Sequence, residues 1–316
     1  MSKLISTSFD PKSVLLTGSS GFIGSAVNQL LEYKCVISVR KLDSNCINLS
    51  KQLIKDTSDL NMSNDVFSNI KYVIHLAGLA HSNLSLSSDY KSVNVDLALN
   101  LARNAASAGV KRFVFVSSIG VNGTSTQKNA FCGHDTANPH NAYAQSKYDA
   151  EVGLKTIADE TGLEVVIVRP TLVYGPSAPG NFGLLTKLVR KLPLLPFGRV
   201  NNMRDFIAVQ NLADLLVTCA NHPDAAGHTF LASDGETVSI KEFTNAIAKG
   251  LNKKLIQLPV PVSLMKFVAG LVRKSAMAEQ LLGNLQVDSS NAQDVLGWIP
   301  PYTMEQAMAS LSENKK

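Results

Sequence analysis

The chain has 316 residues, 45% hydrophobic and 17% charged, with 30 Lys and Arg against 25 Asp and Glu, a formal net charge of +5. That length buries a sizeable core and suits one large α/β unit with a smaller appendage. The cations are spread rather than gathered into a stripe, which argues against nucleic acid and fits a small anionic ligand. Cys35, Cys46, Cys132 and Cys219 show no CxxC or zinc-ligand spacing, so no metal site is expected and a reducing cytoplasm is the expected location.

MSKLISTSFDPK at the start has no apolar core of a signal peptide, and no integral membrane segment is expected. A strand reads at 13–18 (SVLLTG), followed by a helical pattern with Ile23, Val27, Leu30 and Leu31 on one face. Further strands read at 35–40, 71–78, 111–118 and 163–170, alternating with amphipathic segments such as 93–109, which ends at Gly109. Short apolar strands alternating with helices imply a parallel sheet covered on both faces. After Pro170 the rhythm breaks into Pro- and Gly-rich chain, then a strand-like 229–233 and several helices. The expected fold is α/β, a Rossmann-type doubly wound parallel sheet with a smaller, discontinuous C-terminal substrate domain. Its dinucleotide-binding domain spans 1–172, rejoined by about 206–232; the substrate domain takes 173–205 and 233–316. Within the latter, VSLMKFVAGLV (262–272) is too short to span a bilayer and is expected to be a core-facing helix, with a membrane-surface helix as the alternative.

TGSSGFIGS (17–25) sits where the first strand turns into the first helix. Gly18 permits a tight turn, Gly21 lets backbone approach a pyrophosphate, and Gly24 allows close packing of helix on strand. The helix N-terminus then offers N–H donors to the phosphates. At the end of the second strand an acidic residue would bind the ribose 2′-hydroxyl of NAD, whereas a cation would pair with the 2′-phosphate of NADP. The sequence there is SVRKLD, so Arg40 and Lys41 favour NADP(H), with NAD(H) the alternative. Asp59 and Leu60, in the loop after the third strand, are candidates for the adenine edge.

NAYAQSKYDAE (141–151) sets Tyr143 and Lys147 one helical turn apart on one face. A phenol has a reference pKa near 10, and a neighbouring ammonium with an oxidised nicotinamide ring is expected to lower it. Such a tyrosine takes a proton from a sugar hydroxyl or returns one to a ketone. VSSIG (116–120) ends the strand that would bring a hydroxyl to the same oxygen.

Taken together, TGSSGFIG, VIHLAG, VNVDLALNLA, VFVSSIGVNG, YAQSK, VIVRPTLVYGP, RDFIAVQNLAD and LGWIPPYTMEQAM resemble an extended short-chain dehydrogenase/reductase. More narrowly they are similar to the nucleotide-sugar epimerase/dehydratase/reductase family. The resemblance implies Tyr143 as acid/base, Lys147 as the lysine orienting the nicotinamide ribose, and Ser118 as the catalytic hydroxyl, which would also touch substrate. It implies cofactor contacts from Gly18, Ser20, Gly21, Phe22, Ile23, Gly24, Leu76, Ala77, Gly78, Asn94, Ser117, Tyr143, Lys147 and Pro170. Asn122 stands where relatives carry tyrosine, and Ile119 and Gly120 replace the acidic pair of the 4,6-dehydratases, which speaks against dehydration. For the UDP portion of a UDP-sugar the resemblance implies Asn181, Arg204 and the strand of Leu195 and Phe197, with Arg273 as a further candidate arginine. It also implies a homodimer through the helices of 93–109 and 142–160. The first functional reading is reduction of a UDP-4-keto-6-deoxy-N-acetylhexosamine in surface-polysaccharide biosynthesis. The alternative is a UDP-glucose or UDP-N-acetylglucosamine 4-epimerase, and a second alternative is a non-catalytic dinucleotide sensor.

Overall fold

The computed structural model describes residues 10–32, 34–39, 54–56, 64–80, 87–271, 273 and 275–312. Arg40, Lys41, Asp59, Leu60 and Cys46 lie outside them.

Seven parallel strands form the main sheet: β1 (Val14–Thr17), β2 (Val36–Val39), β3 (Ile54–Asp56), β4 (Tyr72–His75), β5 (Arg112–Val116), β6 (Glu164–Pro170) and β10 (Thr229–Ala232). Their order is β3-β2-β1-β4-β5-β6-β10, so the direction of winding reverses between β1 and β4. Ligands of open α/β sheets bind beyond the strand C-termini at such a switch point. Along the strands, side chains alternate between two cores. Val14, Leu16, Val114, Val116, Val166 and Val168 face one side, where α1 (Phe22–Leu30) and α5 (Val209–Asn221) pack. Leu15, Phe113, Phe115, Val165 and Ile167 face the other, under α2 (Leu97–Ser107) and α3 (Ala142–Thr161). Burial on both faces accounts for strands that read as continuous apolar runs.

Helix α3, which carries Tyr143 and Lys147, is bounded by local chemistry. Asn141 accepts a hydrogen bond from the Ala144 N–H at 2.8 Å, an N-cap, and Gly162 at φ 75° closes the C-terminus.

A third core gathers the smaller body: α4 (Gly180–Lys191), α6 (Ile240–Gly250) and α10 (Met304–Ala309) with β7 (Leu172–Tyr174), β8 (Leu194–Leu195) and β9 (Arg204–Ala208). Phe243 stacks on Phe206 at 3.7 Å between ring centroids, with Tyr174 and Phe182 edge-on around it. β11 (Thr237–Val238) pairs β9, and β12 (Ile256–Gln257) pairs β8. The division expected at residue 233 is crossed: Ala292 and Leu296 of α9 (Ser290–Leu296), with Trp298, pack into the first core, and Trp298 Nε1 donates to Asp214 at 2.8 Å.

The helix expected to face the core does not. In α7 (Val262–Leu271) no residue is buried; Val262 and Met265 lean on the third core while Leu264, Phe267, Val268 and Leu271 point outward. It pairs with α8 (Ser275–Leu282), whose Glu279 binds Lys266 at 3.0 Å. A 3.6-residue period identifies a stripe but not what lies opposite it, and here the core is already filled by α4 and α6. No helix among the described residues is long and apolar enough to cross a membrane.

Candidate active site

At the C-terminal end of β1 the chain turns through Gly18 at φ 71°. A Cβ on Gly18 would lie 2.8 Å from the Ala77 backbone nitrogen, and one on Gly24 would lie 2.0 Å from the Gly18 carbonyl oxygen. Only glycine lets this turn, α1 and the strand-end after β4 come so close. The N-terminus of α1, at Gly21, has no side-chain cap. Its N–H groups and positive dipole end suit a pyrophosphate, so the residues present fit a dinucleotide. Ser20 is exposed, and Phe22 and Ile23 are half-buried, at the same helix start.

Thr17 holds the neighbouring strand-end in place. Its Oγ1 accepts from the N–H groups of Leu76 and Ala77, both at 3.2 Å, and shares a hydrogen bond with His75 Nδ1 at 2.9 Å. Burial, with the Lys147 charge nearby, pushes His75 down to about 3, so its ring is neutral. Gly78 follows, and a Cβ there would lie 2.9 Å from Asn94 Oδ1 and 3.4 Å from Lys147 Nζ. Asn94 is buried in a π-helical turn, Lys91–Asp96. It accepts from the Leu79 N–H at 2.7 Å and donates to the Leu79 carbonyl and to Ser146 Oγ, each at 3.0 Å. Asn94 thereby joins the glycine-turn side of the cleft to helix α3.

Lys147 is 5% exposed; it donates to the Val116 carbonyl at 3.0 Å and stands 4.8 Å above the Phe115 ring. Burial draws its pKa down to about 8, and the Glu151 carboxylate opposes that. Tyr143, expected to be lowered with an oxidised nicotinamide ring beside it, is raised in the chain alone. Burial pushes its phenol up to about 12, a hydrogen bond with Ser118 pulls back, and Lys147 is not among the causes. Desolvation of a phenolate outweighs an ammonium already engaged with a carbonyl. Tyr143 in the chain alone is therefore a neutral donor near neutral pH. Ser118 caps the turn after β5, its Oγ accepting from the Gly120 N–H at 3.1 Å, which fixes the hydroxyl beside Tyr143.

Behind this triad lies a buried network that the sequence reading did not single out. Glu151, 1% exposed, accepts from Ser117 Oγ at 2.5 Å and Arg169 Nε at 2.9 Å, and pairs with Arg169 as an ion pair. Arg169 Nη1 donates to Asn122 Oδ1 at 2.9 Å, and Asn122 Nδ2 donates to the Cys132 carbonyl at 3.0 Å. Ser117, expected at the cofactor, thus spends its hydroxyl on Glu151. Asn122 faces inward, as a strut beneath the loop. The signal for Glu151 was available, since it follows Tyr143 and Lys147 at the same four-residue spacing. Pro170 is buried at the end of β6.

The expected substrate residues are dispersed over the second body. Asn181 is exposed in the first turn of α4. Arg204 is 9% exposed; its Nη1 donates to the Gly283 carbonyl at 2.8 Å, and burial lowers its pKa to about 10. Leu195 and Phe197, 1% and 5% exposed, belong to the third core, so their side chains serve packing. Arg273 is exposed at φ 55° in the turn between α7 and α8. Among the described residues one group brings metal-type ligand atoms within 4.8 Å of one another, Cys132, His134 and Asp135. Asp135 there accepts from the Cys132 N–H at 2.7 Å and closes a turn.

Residues 14–234 match the model of the NAD dependent epimerase/dehydratase family. The chain is 39% identical over 312 residues to a UDP-glucose 4-epimerase of Vibrio cholerae, covering 96% of this chain and 95% of that protein. It is 25% identical over 327 residues to a dTDP-4-dehydro-6-deoxyglucose reductase of Escherichia coli, covering 94% and 96%. Among solved structures, a UDP-glucose 4-epimerase from Thermotoga maritima with UDP-glucose superposes with a TM-score of 0.74 at 22% identity, covering 95% of this chain and 97% of that one. That likeness carries the fold.

Proposed function

The chain belongs to the NAD-dependent epimerase/dehydratase family, and on that premise we propose that it epimerises a UDP-sugar at C4. It is an enzyme of nucleotide-sugar chemistry that uses a nicotinamide dinucleotide. The observation that carries the proposal is the hydrogen bond of Tyr143 with Ser118, together with Lys147, whose Nζ lies 3.4 Å from where a Cβ on Gly78 would stand, in the strand-end that meets the glycine turn. The 39% relative supports epimerisation over the reduction that the sequence placed first, so the order of those two readings reverses. Reduction stands second, supported by the more distant reductase relative.

A bound dinucleotide would supply the hydride acceptor and donor for C4, and inversion requires that the ketone present its opposite face before the hydride returns. As the phenolate, which Lys147 and a bound oxidised nicotinamide ring would favour, Tyr143 Oη receives the C4 hydroxyl proton, and as the phenol it returns that proton to the ketone oxygen. Ser118 hydrogen-bonds the reacting oxygen and Tyr143 and holds the phenol in line. Lys147 supplies fixed positive charge that favours the phenolate once the phenol gives up its proton. Arg204, with Asn181 at the start of α4, is proposed to meet the diphosphate. Leu195 and Phe197 serve by keeping that wall rigid. Arg40 and Lys41 support NADP(H), whereas the family description names NAD. A homodimer through α2 and α3 is part of the proposal.

The test is to denature purified protein, identify any released dinucleotide, and assay UDP-glucose and UDP-N-acetylglucosamine without added cofactor. The expected outcome is a 4-epimer formed catalytically, with Tyr143→Phe slower by about 10²–10⁴-fold. Turnover of a UDP-4-keto sugar with stoichiometric consumption of NADPH, with no 4-epimer formed from UDP-glucose or UDP-N-acetylglucosamine, would replace epimerisation with reduction.

A further inference from the structure

Helix α7 carries an apolar stripe at i, i+3, i+4 and i+7 that faces away from the protein. Leu264, Phe267, Val268 and Leu271 are 50%, 64%, 49% and 69% exposed. This is an amphipathic helix turned inside out. A second apolar face is formed by β8 and by β12, the strand that precedes the helix in the chain. Leu194 and Ile256 are register partners in the β8–β12 pair and so point to the same side, and both are exposed, as are Leu192 and Leu258 at the same alternation. Leu195, on the opposite side, is buried in the third core.

Charge is distributed in the same way. Residues 180–204 and 251–278 hold ten of the chain's 30 Lys and Arg and none of its 25 Asp and Glu. The rest of the chain is net acidic, so the whole positive excess comes from the two segments that carry the outward apolar side chains. Lys187, Arg190 and Lys191 lie at the end of α4, and Lys253 and Lys254 lie immediately before β12. A second copy of so basic a face would repel it, whereas an anionic surface would attract it.

We propose that α7, with the β8–β12 face and its surrounding cations, docks the protein on the surface of an anionic lipid bilayer. A helix with Leu and Phe on one side and cations in the neighbouring segments lies in the headgroup region, its apolar stripe in the acyl boundary. Each nearby cation adds electrostatic attraction that falls off within a Debye length. The docked hairpin is fastened to the substrate wall: Asn202 Nδ2 donates to the carbonyls of Leu281 and Gly283, and Arg204 Nη1 to that of Gly283. Docking therefore presents the substrate body to the membrane without using the catalytic residues.

The test is flotation of the full-length protein with vesicles of phosphatidylcholine alone and of equimolar phosphatidylcholine and phosphatidylglycerol, at low and high salt. Binding is expected to the anionic vesicles, weakened by salt. It should fall about tenfold or more in Leu264→Ser/Phe267→Ser/Leu271→Ser and in Lys253→Glu/Lys254→Glu. All these positions are exposed, so both variants are expected to fold and to keep turnover on a water-soluble UDP-sugar. That turnover assay separates a failure of docking from a failure of the proposed reaction. Absence of binding to either vesicle, or binding unchanged in both variants, would overturn the proposal. So would a wild-type dimer that the triple serine variant converts to monomer in sedimentation, which would make the face a contact between copies.

Discussion

At the scale of single residues, Tyr143 and Lys147 were legible because a four-residue spacing survives from sequence to helix face, but their protonation was not. The sequence brings an ammonium near a phenol; the fold buries both, and desolvation then governs each titration. Lys147 yields a prediction. Its pKa in the folded chain, about 8, lies below the ordinary 10.5, so the unfolded chain binds more protons between those values. The charged lysine therefore destabilises the fold below pH 8, and stability rises with pH from 8 to 10.5. Lys147→Met is expected to lose turnover by about 10²-fold or more while its urea midpoint at pH 7 does not fall. The gain is bounded by about 3 kcal/mol, offset by the lost bond to Val116, and it should vanish as pH approaches 10.5. Glu151 and Arg169 illustrate the opposite case. Neither reads as functional alone; they become a unit because β6 and α3 pack side by side, and a buried pair with both partners present is tolerated where either alone is not.

At the scale of elements, the strands of the parallel sheet and the turn into α1 follow from local pattern, since apolar runs, glycines and caps act within a few residues. Gly24 shows how tightly that turn is built. A Cβ there meets backbone, which cannot rotate away, so Gly24→Ala must push α1 off the turn. It is expected to destabilise the protein by about 2 kcal/mol, read by thermal unfolding, and to weaken dinucleotide binding, read by quenching of protein fluorescence. Helix α7 marks where pattern stops informing. Its period was legible, but whether an apolar stripe meets a core or a solvent boundary depends on how much of the core its neighbours already fill.

At the scale of the whole molecule, one carboxylate ties the two bodies together. Asp234, just after β10, accepts from Tyr174 Oη at 2.7 Å, from the Ala208 N–H at 3.0 Å and from Asn211 Nδ2 at 2.7 Å. Asn211 Nδ2 in turn donates to the Tyr302 carbonyl at 2.8 Å. Asp234→Ala leaves three buried donors without their acceptor and is expected to cost about 3 kcal/mol or more, measured as a lowered denaturant midpoint. Nothing in the sequence marked this aspartate, because its partners lie 23 to 60 positions away. The same holds for Trp298, which returns from the C-terminal segment to the first core. The sequence by itself determined the sheet class, the glycine turn and the shared helix face of Tyr143 and Lys147, since each is written in spacings of a few residues. Only the tertiary structure decided the neutral state of Tyr143, the inward strut at Asn122 and the outward face of α7. Those depend on desolvation and on competition for the same interior, which are properties of neighbours distant along the chain.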